Sequence, residues 1–383
     1  MNDAQQNSPV PARLKSVTQE DVARRCGVRR STVSMAFSGD PSIPADTVAR
    51  IRAAAAELGY DPSQNAAARR LIGRKYGRRE INHLIALGFP RGFHRYAYWV
   101  QLFHGILDTL TDDGFGVVMA QLPSHLQLAP AAVLPVLKRG EVDGLITSAA
   151  TIPFFLESGA TPAMPLVSLL HPADVPVPVP CVMINEFTGA YLAMQHLLAL
   201  GHHTVLHFSL TPEPDGTLWP KYRLAGARQA LLDQGLPPEE HLFTLDNPWA
   251  WSAPLTPAAT GIISSEEAEA QRVLAEFLAA HPQITAMMTI NDAHAIRLFY
   301  HLKALGLRVP EDISIVGCDD VDPLLDEDRY NILTSIYMPL RETGQEAARL
   351  MLRLVHGEAA PDERVMLEPA LSVRKTTGPA RNS

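Results

Sequence analysis

Cysteine is nearly missing from the sequence. Cys26, Cys181 and Cys318 are its only three, too few and too dispersed for a disulfide framework or for a zinc cluster with ligand spacing. No apolar run approaches the roughly 18 to 20 residues that cross a bilayer, and the polar stretch from Met1 to Lys15 lacks the hydrophobic centre of an export signal. The expectation is a cytoplasmic chain without membrane contact. No GxGxxG follows the first apolar run, and no P-loop, HExxH or GxSxG occurs anywhere, so the usual marks of dinucleotide, triphosphate, metalloprotease and serine-hydrolase chemistry are missing. Neither a cofactor nor a resident metal is expected, and the chain does not read as an enzyme. The one local histidine cluster, His202-His203-Thr204-Val205-Leu206-His207, has the apolar pattern of a turn entering a strand. At roughly 3.3 Å per residue that sets His203 and His207 about 13 Å apart, too far to share one ion.

What is present is enough for a globular chain of more than one domain. Single cores seldom grow beyond about 250 to 300 residues, and this chain has 383, of which 46% are hydrophobic and 19% charged. The net charge of −8 hides an asymmetry. Met1 to Glu80 hold 14 Lys and Arg against 8 Asp and Glu, a surplus of +6, whereas the rest hold 19 against 33, a deficit of −14. A basic amino-terminal module on an acidic body suits attraction to a polyanion through the module alone.

That module reads as three short helices. Thr18 followed by Asp21 is a capping-box-like start; Val22, Ala23 and Cys26 give one apolar face, and Gly27 suits a left-handed helix end. A second helix from about Arg30 to Phe37 has Val33, Ala36 and Phe37 at packing spacing and leaves Arg30, Ser31, Ser34 and Met35 on its other face. A third, about Ala45 to Leu58, starts after Pro44 and stops at Gly59. Three helices with a tight turn between the first two form the helix-turn-helix, whose second helix enters the DNA major groove.

The stretch Val17-Thr18-Gln19-Glu20-Asp21-Val22-Ala23, with Gly27-Val28, Ser31-Thr32-Val33-Ser34 and Leu58-Gly59-Tyr60-Asp61-Pro62, resembles the amino terminus of LacI/GalR-family transcriptional regulators. The resemblance implies a helix-turn-helix domain over residues 16–62, with Arg30, Ser31, Ser34 and Met35 towards the bases and Thr18, Gln19 and Thr32 near the phosphates. Arg29 stands where the family usually has Ser, and Met35 where it usually has Arg. Methionine cannot hydrogen-bond a guanine edge but can touch a thymine methyl, so an uncommon operator is expected. A hinge over residues 63–80 follows. By position Asn65 and Arg69 match family residues there, and Leu71 matches the leucine that wedges into the minor groove when two copies pair on DNA. Ser63 and Gln64 intervene between the proline and that asparagine, a two-residue insertion relative to the family.

From Leu84 onward, short apolar runs alternate with amphipathic helical patterns, the signature of parallel sheets flanked by helices. The expected fold class is therefore α/β, a three-helix amino-terminal domain plus a two-lobed core. Residues 142–147, 195–202, 223–226, Asn291-Asp292 and 308–320 resemble the same family's effector-binding core, a relative of periplasmic sugar-binding proteins. The resemblance implies a core over residues 81–376, with lobe one about 81–183 and 334–355, and lobe two about 184–333 and 356–376. Arg223 and Asp319 match an arginine and an aspartate that contact effectors in many members, and Asn291 matches a position lining the same pocket. Phe93 and Tyr96, in an aromatic stretch with Tyr98 and Trp99, fall where family ligands sit, and Trp219 with the Asn247-Pro248-Trp249-Ala250-Trp251 insertion adds further aromatics. An arginine, a carboxylate and aromatic faces suit a carbohydrate first and a purine or nucleoside second. The expected partners are a palindromic double-stranded DNA operator, that small-molecule effector and a second copy of the chain, since one helix-turn-helix reads only half a site. The alternative is a sensor of the same ligands that acts through protein partners.

Overall fold

Thr18 and Asp21 build the first helix start in the computed structural model, which describes residues 17–60, 81–90, 97–122, 141–152, 164–170, 179–209, 219–246 and 265–381. The Thr18 hydroxyl donates to Asp21 Oδ2 at 2.7 Å and accepts from the Asp21 N–H at 3.4 Å, while the Thr18 N–H donates back to Oδ2 at 2.9 Å. This reciprocal cap opens α1 (Gln19–Cys26), and Gly27 closes it in the left-handed region, at φ 66°. Then come α2 (Arg30–Phe37) and α3 (Ala45–Leu58), the latter ended by Gly59 at φ 68°. Val22, Ala23, Val33, Ala36, Ile51, Ala55 and Tyr60 fill the space between the three helices. The periodicity read from the sequence thus supplies the core of this small unit.

The chain divides into two compact units, Met1–Asn82 and His83–Ser383. The second holds two six-stranded sheets. Its strands are β1 (Leu84–Pro90), β2 (Gly116–Leu122), β3 (Gly144–Ser148), β4 (Leu166–Leu169), β5 (Cys181–Ile184), β6 (Val205–Ser209), β7 (Leu242–Asp246), β8 (Ala286–Met288), β9 (Ser314–Asp319), β10 (Ser335–Tyr337), β11 (Arg364–Leu367) and β12 (Ala370–Ser372). Sheet one runs β11-β5-β4-β3-β1-β2 with all pairs parallel; sheet two runs β12-β10-β9-β8-β6-β7, parallel except for β12 on β10. The helices are α4 (Ala97–Asp112), α5 (Glu186–Ala199), α6 (Trp219–Asp233), α7 (Pro238–His241), α8 (Ser265–Ala280), α9 (Asp292–Ala304) and α10 (Leu340–His356). Among the described residues no helix is long and apolar enough to cross a membrane.

Two glycine contacts set how closely the helices pack. A Cβ on Gly105 of α4 would collide with the Arg341 carbonyl of α10, and one on Gly226 of α6 would collide with the Phe187 carbonyl of α5. Both pairs therefore cross at backbone contact, and the second pair carries the site described below.

The chain passes between the sheets three times, after β5, after β10 and after β11. Two of these passages differ from the expected lobe boundaries. Residues 334–355 were assigned to lobe one, yet β10 pairs with β9 and β12 in sheet two; residues 356–376 were assigned to lobe two, yet β11 pairs with β5 in sheet one. Strands of three and four residues carry no periodicity of their own, so their sheet is decided by pairing rather than pattern. The passages after β5 and after β11 are tied to each other: the Asn185 N–H donates to the Leu367 carbonyl at 3.0 Å, and Asn185 Nδ2 lies 3.1 Å from both Glu368 carboxylate oxygens.

Candidate functional site

On α2 the sequence separates inside from outside. Val33 and Ala36 are buried, Arg30 and Ser31 are exposed together with the preceding Arg29, and Thr32, Ser34 and Met35 are half-buried. No side chain caps this helix and its first turn has no acidic residue. The Arg30 and Ser31 N–H groups thus have no side-chain cap, and the two arginines beside them form no ion pair among the described residues, an arrangement open to an anion. Thr18 is exposed, as a phosphate-side residue requires, although its hydroxyl serves the cap of α1. Gln19 is only 8% exposed, so its side chain belongs to the interior and what it offers a phosphate is its backbone N–H in the first turn of α1. Asn65, Arg69 and Leu71 lie outside the described residues.

A second candidate site forms at the carboxyl ends of sheet two. There β6 stands between β8 and β7, the place where the winding of the sheet reverses and where open α/β sheets bind ligands. Arg223 reaches this point from α6. Its Nε donates to Glu186 Oε2 at 2.6 Å, its Nη1 donates to the Ile290 carbonyl just past β8 at 2.6 Å, and its Nη2 lies 3.8 Å from Asp319 Oδ1 at the end of β9. The guanidinium carbon sits 4.4 Å from the centre of the Trp219 ring, close enough for cation–π attraction. All three charged side chains are nearly enclosed, at 8%, 14% and 11% exposure for Arg223, Glu186 and Asp319.

Backbone strain aims one of these groups. Asp319 and Asp320 have φ of 99° and 55°, a conformation that L side chains rarely adopt. Neighbours hold the turn in place. Arg374 donates to both Asp320 carboxylate oxygens at 2.7 and 2.9 Å, and Ser372 donates to Oδ2 at 2.6 Å. Asp292, at the start of α9, accepts from the N–H groups of Val321 and Asp322 at 2.7 and 3.2 Å and from the Ser335 hydroxyl at 2.5 Å. Burial raises the Asp292 carboxyl to about 7 in spite of those donors. Burial likewise lifts Asp319 well above the usual carboxylate range, against the pull of Arg223. Burial and then the Arg223 charge lower His207 of β6 to about 4.

The aromatic stretch expected near the ligand divides. Trp99 packs edge-on against Phe89 of β1 at 5.4 Å. Tyr98, at the start of α4 on sheet one, comes within electrostatic reach of Glu186, Asp319 and Arg223; burial and then those carboxylates raise its hydroxyl well above the ordinary value. The cluster thus draws on helices of both sheets. Asn291 is next to Ile290, and its Oδ1 caps α9 by accepting from the His294 N–H at 2.9 Å, which fixes the side chain while leaving its amide N–H donors for a ligand. Phe93, Tyr96 and the insertion around Trp249 lie outside the described residues. Of the histidines, His203 is exposed ahead of β6 and His207 is buried within it. Among the described residues no group of His, Cys, Asp and Glu is arranged to hold a metal ion. Sequence reasoning missed Glu186. An acid in the first turn of a helix reads as a favourable partner of the helix dipole, and nothing local announces that it faces an arginine 37 residues away.

Comparison with known proteins bears on both sites. The family described as "Bacterial regulatory proteins, lacI family" matches residues 18–63, "Periplasmic binding proteins and sugar binding domain of LacI family" matches 93–251, and "Periplasmic binding protein-like domain" matches 194–377. The chain belongs to the LacI family of transcriptional regulators. The regulator is 27% identical over 364 residues to the HTH-type transcriptional regulator DegA of Bacillus subtilis, covering 94% of this chain and 97% of that one. It is 28% identical over 374 residues to the regulator CelR of Thermobifida fusca, with 95% and 99% covered. A solved CelR–cellobiose complex superposes with a TM-score of 0.58 at 25% identity over 94% of this chain and all of that one. The lac repressor dimer bound to operator and the anti-inducer ONPF superposes with a TM-score of 0.63 at 26% identity over 95% of this chain and all of that one. The family regulates transcription and is not a family of enzymes. Its architecture, an amino-terminal helix-turn-helix and a two-lobed α/β core, is the one expected from the sequence.

Proposed function

We propose that this LacI-family regulator binds an imperfect palindromic operator as a homodimer, represses transcription there, and changes its operator affinity when a carbohydrate effector occupies the Arg223 cluster. The observation that carries the effector half is the enclosed arrangement of Arg223, Asp319 and Trp219 at the switch point of sheet two, with Tyr98 reaching it from the helix of sheet one. Guanidinium N–H donors, a carboxylate acceptor and aromatic faces together match vicinal hydroxyls on an apolar ring. The CelR–cellobiose complex supports a sugar as effector.

In this reading Arg30, Ser31, Ser34 and Met35 face the bases, and Thr18, Thr32 and the Gln19 backbone face the phosphates. Asn65, Arg69 and Leu71 form the paired hinge, with Leu71 as the minor-groove wedge. Effector binding between the lobes alters their angle and, through the hinge, the operator grip, with a coupling of about 1 to 3 kcal/mol. The test has two parts. A thermal-shift screen of sugars and nucleosides on the full chain identifies ligands by their stabilisation. Gel-shift titration on a palindrome then measures operator binding with and without the hits. Hits confined to sugars that also change the gel shift are expected; hits confined to nucleosides, or a DNA affinity indifferent to every hit, would overturn the respective half.

A further inference from the structure

The Arg223 cluster has its charge inverted relative to an anion-binding site. One cation meets two carboxylates: Glu186 accepts from Nε at 2.6 Å, and Asp319 lies 3.8 Å from Nη2. Two of the five guanidinium N–H donors already serve the protein, Nε to Glu186 and one on Nη1 to Ile290, so the Nε edge is not free for the two-pronged clamp an arginine makes on phosphate or carboxylate. The formal sum is −1 with both acids ionised and zero when one keeps its proton; in neither state is it positive. Enclosure makes that sum matter, because a ligand anion would shed its water to enter and find no net positive charge in return.

We propose that Glu186 is a specificity residue of the effector site, neutralising Arg223 so that the site accepts uncharged polyhydroxyl ligands and excludes their phosphorylated or carboxylated forms. This rests on the effector reading above and sharpens it. Glu186 opens α5, directly after the Asn185 cap that ties two of the inter-sheet passages together, so its backbone is held by the helix start and by that tie.

The test uses the full chain, Glu186→Gln and Glu186→Asp. Inorganic phosphate is titrated at constant ionic strength while thermal stability is followed; any phosphate held by the basic helices acts equally on all three proteins, so the difference between them reports the cluster. Glu186→Gln should gain a saturable stabilisation that the wild type and Glu186→Asp lack, and identical responses in wild type and Glu186→Gln would overturn the proposal. A second arm compares ribose, glucose and cellobiose with sugar phosphates and uronic acids on the wild type, and so stands even if the glutamine variant fails to fold. Neutral members should bind at least about tenfold more tightly, since an uncompensated buried charge is costly. A phosphate ester preferred over its parent sugar would overturn the charge rule. Binding of no sugar of either kind would instead sink the carbohydrate reading, with the phosphate comparison still deciding the role of Glu186.

Discussion

Arg30 and Arg223 carry the same cation in opposite surroundings. Arg30 stands exposed at the uncapped start of α2 beside Arg29, with no acidic residue in that first turn. Arg223 is enclosed, with a carboxylate on one nitrogen, a backbone carbonyl on another and an indole against its face. An exposed arginine costs the fold almost nothing and keeps its charge for a partner that brings many negative charges. A buried one is part of the fold, because its neighbours were desolvated on condition that it be there. The contrast suits a regulator whose amino-terminal unit meets a polyanion and whose core meets a small molecule.

Replacing the buried arginine should break that contrast most severely. Arg223→Ala leaves Glu186 and Asp319 enclosed without their counter-charge, and destabilisation of about 3 to 5 kcal/mol is expected, with loss of the effector response. Calorimetric unfolding of the full chain measures it. A change below about 1 kcal/mol would mean that the cluster is wetter than its geometry implies. Next in size is Gly226→Ala, whose added methyl falls on the Phe187 carbonyl and must push α6 from α5. A cost of about 1 to 3 kcal/mol is expected, and because those two helices carry Arg223 and Glu186, ligand affinity should fall with stability.

Arg30→Ala should behave in the opposite way. Stability should stay within about 0.5 kcal/mol of wild type, since the side chain is exposed, while specific operator affinity should fall by about 1 to 3 kcal/mol if the side chain reads a base. Fluorescence anisotropy on operator and on scrambled duplex separates that outcome from a phosphate contact, which would weaken both equally and lower the salt dependence by about one ion. An unfolded variant would dissolve the comparison altogether.

The two regions were also unequally legible. The amino-terminal unit could be read almost residue by residue because its signals are local: a capping box at Thr18 and Asp21, left-handed glycines at 27 and 59, and apolar positions one helical turn apart. Gln19 is the exception there, since a polar residue at the edge of a helix face gives no sign of burial. In the core, β1, β2, β3, β4, β6, β8 and β9 announced themselves as apolar runs. The strands β5, β7, β10, β11 and β12 did not, and β10 and β11 are the two whose sheets differ from the expected lobes. Arg223 and Asp319 came from family resemblance rather than pattern. Glu186 was invisible because its role is created by a contact between two helices, which a single sequence does not display.

A last expected effect separates buried groups around the site by the sign of their pH dependence. His207 has a folded value of about 4 against an ordinary 6.5, so the unfolded chain binds a proton there that the folded chain refuses; its contribution is complete above 6.5 and is lost as pH falls towards 4. His294, also at about 4, adds in the same direction. Asp292 runs the other way. Its folded value is about 7 against an ordinary 3.8, so the folded chain keeps a proton that the unfolded chain releases, and its contribution is complete at the acid end and is lost as pH rises to 7. Each group contributes a slope of about 1.4 kcal/mol per pH unit while it differs between states. Between 4 and 6.5 the Asp292 slope therefore masks one histidine. Asp292→Asn keeps an oxygen for the Val321 and Asp322 N–H groups and a donor for Ser335 while removing the proton. Denaturant melts across that window should show the variant's stability rising more steeply with pH than the wild type's. Parallel curves would mean that Asp292 is ionised in the folded chain and that its three donors outweigh its burial.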